Sequence, residues 1–114
     1  MGQAEKNQRW VLHQDIAPVR GGENVERRVL AYCDAMMCVE NTFETGAVGA
    51  LHSHPHTQIT YVASGVFDFE IDGEHHTVRR GDTLLKQDGV VHGCRCLEAG
   101  VLVDFFTPMR EDFV

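Results

Sequence analysis

The feature that most constrains the fold of this chain is a series of short apolar segments, which turn residues interrupt about every eight to twelve positions. The segments are rich in Val, Ile, Phe, Tyr and Thr, whereas Gly, Asp and Asn stand between them. No long stretch shows a helical period. The pattern is typical of an all-β sandwich or barrel, so we expect about nine or ten strands.

The turn residues divide the chain into predicted strands. These are residues 10–17, 25–33, 36–44, 58–64, 66–71, 74–80, 83–86, 91–97 and 100–107. A polar loop is predicted at residues 20–24, and Asp72-Gly73 predicts a tight hairpin turn. In the strand before that turn, Phe67, Phe69 and Ile71 share one face.

Histidines occupy every second position from residue 52 to residue 56, and Gln58 follows at the same parity. In an extended chain alternate side chains point to the same side, so His52, His54, His56 and Gln58 can share one face. Neutral imidazoles that converge on one point favour a divalent transition metal. The alternative is a surface loop whose histidines bind nothing. Because a strand-like run follows directly, we favour the metal site.

Composition and charge narrow the class of partner. At 114 residues the chain suits one hydrophobic core, so residues 1–114 are predicted to form a single domain. The net charge is -7 and no basic cluster is present, which argues against nucleic acid and an anionic membrane as partners. No apolar run suits a signal peptide or a membrane span, so we expect a cytoplasmic protein.

Four cysteines stand at positions 33, 38, 94 and 96. In a reducing compartment they are expected to remain thiols. Cys94 and Cys96 share one face of a predicted strand, which is poor geometry for a mutual disulfide. The spacing of the four is also a weak match to a zinc site. We therefore expect them to act as small apolar side chains.

Two motifs of glycine and histidine resemble the pair that characterises the cupin superfamily. The first spans residues 46–65 and reads Gly46-x5-His52-x-His54-x3-Gln58-x6-Gly65. The second spans residues 81–96 and reads Gly81-x5-Gln87-x-Gly89-x2-His92-x3-Cys96. The family pattern has Glu, Pro and Asn where this chain has Gln58, Gln87 and Cys96. The resemblance implies a single-domain cupin jelly-roll β-barrel with a metal site inside.

The cupin resemblance also implies a set of metal ligands, which are His52, His54, Gln58 and His92. Such a set leaves positions on the ion open for substrate or water, as a catalytic metal site requires. Because Gln58 is neutral where the family has Glu, we expect a stronger Lewis acid that is less suited to oxygen chemistry. Nickel, zinc, iron and manganese all tolerate these ligands, so the sequence does not identify the metal ion.

The end of the chain narrows the resemblance to one small family within the cupin superfamily. Residues 52–59 and 104–113 resemble those of a small cupin family from pectin and alginate breakdown. Members of that family convert 4,5-unsaturated monouronates into the linear 4-deoxy-5-keto uronate. The resemblance implies that Asp104 is the acid/base, that Arg110 clamps the substrate carboxylate and that Phe106 lines the pocket. A guanidinium group is suited to bidentate carboxylate binding, which agrees with the proposed role of Arg110.

Two side chains have more than one interpretation. His56 is not a ligand in the cupin pattern, and it is either a proton carrier that lines the substrate cavity or a histidine at the barrel mouth without a role. Asp104 interrupts the apolar run at residues 101–107, so it either enters the barrel with a partner or faces outward.

Two other functions remain open from the sequence. One is a metal-dependent dioxygenase on the same barrel, which oxygen consumption would reveal. The other is a cupin that binds a small acid without catalysis. The fold does not decide between them, because cupins host many activities.

Self-association is also expected. Ile59, Tyr61 and Ala63 have the parity opposite to that of Gln58, so they face away from the metal and can pack against a second copy. We therefore predict a homodimer, with a small-molecule carboxylic sugar acid as the other partner. If light scattering at micromolar concentration gives only the mass of a monomer, the dimer is rejected.

Overall fold

The computed structural model describes residues 2–114 and contains ten strands among them. The strands are β1 (Val19–Gly22), β2 (Val25–Tyr32), β3 (Met37–Phe43), β4 (Val48–His52), β5 (Thr57–Val62), β6 (Val66–Ile71), β7 (Glu74–Arg79), β8 (Thr83–Lys86), β9 (His92–Glu98) and β10 (Gly100–Thr107). Short 3-10 helices span His13–Asp15 and Glu111–Phe113. Within residues 2–114, no helix has the length and apolar character needed to cross a membrane.

The ten strands form two antiparallel sheets. The larger sheet has the order β1-β2-β3-β10-β5-β8, and the smaller has the order β4-β9-β6-β7. Strands distant in sequence are thus neighbours, as in a jelly roll, and the predicted all-β jelly-roll fold is confirmed. The crossings also bring β3, β10, β5 and β8 side by side, so that residues from four strands face one cavity.

The core contains two apolar clusters, of which the first joins the two sheets. The first contains residues from both sheets: Val25, Phe43, Ala47, Val62, Phe67, Phe69, Val78, Cys96 and Leu102. The second lies under the C-terminal segment and contains Met37, Val39, Phe106 and Met109. Alternation along the strands explains the clusters, since β5 buries every second residue and exposes Ile59 and Tyr61 between them.

Gly65 of the first motif lies where the backbone of β10 approaches most closely. Its φ is +83, and an added Cβ would lie 2.6 Å from the carbonyl oxygen of Glu98 and 2.7 Å from the Cα of Gly100. A side chain there would therefore be strained in φ and would clash with backbone. The glycine allows β6 to begin directly beside the start of β10.

Most predicted strands are present, and β6, β8 and β10 have the predicted bounds. The predicted strand at residues 10–17 is wrong. Trp10 and Leu12 are exposed, and the backbone N–H of Asp15 donates locally to the carbonyl of Leu12 at 2.9 Å instead of to a neighbouring strand. Conversely, the predicted loop at residues 20–24 overlaps β1.

β1 and β4 are the strands that the sequence analysis missed. β1 pairs with β2 across a tight turn and is irregular between Arg20 and Gly22, so its glycines belong to a strand. β4 contains Gly49, whose added Cβ would lie 3.1 Å from the sulfur of Cys94 on β9. Pairing with a neighbouring strand, which local propensity does not reveal, thus defines both strands.

Candidate metal and substrate site

Three histidines converge where the smaller sheet meets the loop before β5. His52 ends β4 and pairs in register with His92, the first residue of β9, while His54 lies in the following loop. Their ring centroids are 4.4 Å apart for His52 and His92, 5.0 Å for His54 and His92, and 5.7 Å for His52 and His54. One ring nitrogen of each lies within 4.8 Å of the others.

Backbone carbonyl groups orient two of these rings. The Nδ1 of His52 lies 2.7 Å from the carbonyl oxygen of Ala50, and the Nδ1 of His92 lies 3.1 Å from that of Val90. A carbonyl only accepts, so each Nδ1 must carry the proton and each Nε2 keeps its lone pair. The Nε2 of His92 is buried and has no hydrogen-bond partner within residues 2–114. This is the arrangement of metal-binding histidines.

Gln58 completes the cluster from β5. Its Oε1 lies 2.9 Å from the Nε2 of His54, while its Nε2 donates to the Oγ1 of Thr60 at 3.3 Å. Because Thr60 takes the amide nitrogen, the amide oxygen faces the histidines. Two donor atoms that bind the same ion at about 2.1 Å lie about 3 Å apart, so the spacing of His54 and Gln58 fits a shared metal.

Burial favours the neutral form of two of these imidazoles. It lowers the pKa of His92 to about 4, with a further contribution from the nearby ammonium of Lys86. Burial likewise lowers the pKa of His54. Neutral imidazoles are the form that binds metal, and three nitrogens with an amide oxygen suit a divalent transition ion. The four residues named by the sequence analysis thus lie together and fit such an ion; their role as ligands stays a prediction.

Asp104 enters the barrel, which decides between its two interpretations. Its side chain is buried on β10, and both carboxylate oxygens accept hydrogen bonds. Asn41 Nδ2 donates to Oδ2 at 2.8 Å, and Thr60 Oγ1 donates to Oδ1 at 2.5 Å. The two bonds fix the position of the carboxylate and compensate its loss of hydration. Thr60 also joins it to Gln58, and hence to the histidine cluster.

Lys86 is a functional candidate that the sequence analysis did not single out. It is 2% exposed at the end of β8, where its Nζ donates to Thr60 Oγ1 at 2.6 Å and lies 4.3 Å from the centroid of the Phe69 ring. Burial lowers its pKa, and the carboxylate of Asp104 opposes that shift. Because an ammonium only donates, it obliges the Thr60 hydroxyl to direct its proton towards Asp104.

His52, His92 and Asp104 face a cavity of about 460 Å³ between the sheets. Phe106 lines it and packs against His54, with ring centroids 5.7 Å apart. Arg110 follows β10 and lies over the rings of Phe106 and Phe113, at 5.2 Å and 4.3 Å from their centroids. The volume is that of a small-molecule site, and the C-terminal segment forms part of its wall.

Arg110 is already paired with a carboxylate. Its Nε donates to Asp112 Oδ1 at 2.9 Å, and its Nη2 donates to Asp112 Oδ2 at 2.7 Å. The pair lowers the pKa of Asp112. One edge of the guanidinium group is therefore occupied, and the opposite edge remains for a ligand.

His56 lies beside the cluster without facing the main cavity. Its ring centroid is 5.4 Å from that of His54, but it lines a separate surface cleft with Pro108, Met109 and Asp112. Pro55 and the loop around it end the simple alternation that would have placed His56 with the other histidines. A contact between His56 and substrate stays a prediction.

Comparison with known proteins agrees with this fold and site. A family model described as "Cupin domain" matches residues 39–106. The chain is 39% identical to the pectin degradation protein KdgF of Dickeya dadantii (strain 3937) over 95 residues, which are 82% of this chain and 86% of that protein.

Two solved structures are similar over almost the whole chain. An RmlC-like cupin from Shewanella frigidimarina superposes with a TM-score of 0.93 at 32% identity, covering 97% of this chain and 100% of the other. KdgF from Halomonas sp. gives a TM-score of 0.90 at 29% identity, covering 95% of this chain and 100% of the other. The chain therefore belongs to the cupin family, as a small cupin similar to KdgF.

Proposed function

We propose that this protein converts 4,5-unsaturated monouronates into the linear 4-deoxy-5-keto uronate, with one divalent transition metal ion as cofactor. The observation that carries the proposal is that the three-histidine cluster meets Asp104 at one cavity, which His52, His92 and Gln58 line together with Asp104. The similarity to a pectin degradation protein supports this substrate class, because pectin is a polymer of uronates.

The charge of the cavity supports an anionic substrate. Its lining contains the cationic side chains of Arg27, Lys86 and Arg110, whereas Asp104 is the one carboxylate among the lining residues of the described chain. Asp112 pairs with Arg110 and Asp104 offsets Lys86, so Arg27 supplies the remaining positive charge, which is opposite in sign to the net charge of -7 of the whole chain. A cavity of this sign attracts a carboxylate and disfavours neutral sugars.

The proposed reaction is an isomerisation, so substrate and product contain the same atoms. The hemiacetal hydroxyl of the sugar loses a proton, the bond between C1 and the ring oxygen breaks, and a proton returns to C4 as the ketone forms at C5. Asp104 is the proposed proton carrier, since Asn41 and Thr60 hold its carboxylate in place. A divalent ion bound by the nearby donors would supply a Lewis acid for a sugar oxygen.

The same proposal includes one cupin domain over residues 1–114 and a homodimer. On the outer face of the larger sheet, Phe105, Ile59 and Leu85 are cross-strand neighbours on three adjacent strands. Their exposed fractions are 38%, 45% and 52%, so the row forms a continuous apolar surface. Apolar surface of this kind supports self-association.

The experiment that tests the function uses metal-loaded protein and the unsaturated monouronates that pectate and alginate lyases release. We expect the ultraviolet absorbance of the conjugated double bond to disappear faster than it does spontaneously. Chelated protein is the control and should return the rate to background. If metal-loaded, folded protein gives no acceleration, the proposed activity is wrong. Oxygen uptake during the reaction would instead indicate a dioxygenase.

A further inference from the structure

Arg27 is a cavity residue that the sequence resemblance does not assign. It lies on β2 at the parity of Val25, opposite Asn41 of β3 in the sheet register. Asn41 is the residue whose amide holds Asp104. Arg27 therefore reaches the cavity with only β3 between its strand and that of the proposed proton carrier, and its side chain lines the same cavity as Arg110.

Arg27 forms no ion pair within residues 2–114, although the carboxylate of Asp112 lies near enough to act on its charge. Its Nε is buried and has no hydrogen-bond partner among residues 2–114. Its guanidinium group lies 4.0 Å from the centroid of the Phe113 ring, against which Arg110 also packs. Burial lowers the pKa of Arg27, the carboxylate of Asp112 opposes that shift, and the charge of Arg110 adds to it. A buried donor without an acceptor is costly, so such a group needs a ligand or water.

Arg110 and Arg27 differ in whether a carboxylate already accepts hydrogen bonds from their guanidinium groups. Asp112 accepts two hydrogen bonds from Arg110, so the nearest carboxylate to this pair of guanidinium groups is occupied. The guanidinium N–H donors of Arg27 are thus free in the described part of the chain, and their planar arrangement matches the geometry of a carboxylate. The Phe113 ring contacts both guanidinium groups and so keeps them close to each other in the cavity wall.

We propose that Arg27 is a substrate-binding residue that takes the carboxylate of the sugar acid, with Arg110 beside it. The inference deepens the proposed function and rests on it for the identity of the ligand. The carboxylate gains and loses no bond in the proposed reaction, so its hydrogen bonds to Arg27 are present in the ground state and in the transition state alike. Such uniform binding changes KM and leaves kcat largely unchanged.

The test compares Arg27→Met with Arg28→Met, which is a matched control. Arg28 is the next residue of β2, but it points to the opposite face, where it bonds the carbonyl oxygen of Ile16 and pairs with Glu40. We expect Arg27→Met to raise KM for the unsaturated monouronate about 10- to 100-fold with little change in kcat. Arg28→Met should leave KM unchanged. Arg27→Lys should give an intermediate KM, because lysine keeps the positive charge but lacks the planar guanidinium donors.

A second measurement does not depend on turnover. Calorimetric titration with galacturonate, a saturated uronate, should show a similar loss of affinity in Arg27→Met and none in Arg28→Met, while neutral galactose should bind to neither. If wild-type protein binds galacturonate through Arg27 but converts no unsaturated uronate, the inference stands and the proposed function fails. If Arg27→Met keeps the wild-type KM and galacturonate affinity in a folded protein, the inference is overturned, whatever the activity.

Discussion

Replacing His52 by alanine is expected to abolish metal binding and uronate conversion while the fold survives. His52 is exposed, so its removal leaves no cavity in the core, but it takes away one of the nitrogens that converge in the cluster. Loss of residues that merely support metal ligands costs about 10- to 100-fold, so the loss of a ligand itself should exceed about a hundredfold in both affinity and activity.

Thermal unfolding measures the loss of metal directly. An ion at a hundred times its dissociation constant stabilises the folded state by about 2.7 kcal/mol, which raises the melting temperature of wild-type protein by several degrees. His52→Ala should lack this rise, and His92→Ala should lack it too. His75→Ala is the matched control, because His75 is exposed on β7 of the same sheet and pairs with Asp68 and Glu70.

The metal-site prediction is tested by two independent measurements, which are the gain in melting temperature on metal binding and the rate of uronate conversion. If His52→Ala melts at the same temperature as metal-free wild type and still gains stability from the ion, His52 is not a ligand. If the gain is lost but uronate conversion persists, the metal is not part of the reaction. Only joint loss, with His75→Ala unaffected, agrees with the proposed site.

The histidine spacing predicted the site, but the expected alternation along a single strand explains only part of its geometry. Alternation along one strand was expected to align His52, His54 and His56, yet β4 ends at His52 and His54 lies in a loop. His92 joins His52 because β9 pairs with β4 and places the two rings beside each other. His56, which continues the alternation on paper, lies against another cleft. Pairing between distant strands, and not local spacing, fixes which histidines meet.

The cationic lining of the cavity was not predicted, because charged residues are usually expected to face solvent. Lys86 shares its parity with Leu84, while Leu85 between them is exposed, so the alternation itself contained the signal. Arg27 shares its parity with the buried Val25 in the same way. Both charges are tolerated because the interior there is polar: Thr60 accepts a bond from Lys86, and Arg27 faces the cavity.

Replacing Asp104 by asparagine is expected to lower kcat for uronate conversion by about 10²- to 10⁴-fold, the contribution of a positioned acid/base. The change preserves shape, and the amide oxygen can still accept the bond from Thr60. Asn41 can turn its own amide so that its oxygen accepts from the new amide nitrogen. The metal-dependent rise in melting temperature should therefore persist. Unchanged kcat in a folded, metal-binding Asp104→Asn protein would exclude Asp104 as the proton carrier.

The same substitution also removes the carboxylate that offsets the charge of Lys86. Because Lys86 is buried and is linked to Asp104 through Thr60, we expect Asp104→Asn to cost roughly 1–3 kcal/mol in the free energy of unfolding. Instability alone could then lower the measured activity. A second substitution, Lys86→Met, separates the two effects, since it removes the unbalanced charge and fills a similar volume.

The double variant Asp104→Asn with Lys86→Met should recover most of the lost stability and none of the lost activity. Urea denaturation gives the first quantity, and single-turnover rates with metal-loaded protein give the second. If activity returns together with stability, Asp104 acts by holding the fold and not by moving a proton. If stability does not return, Lys86 and Asp104 are not coupled through Thr60, and the non-additivity of the cycle measures that coupling directly.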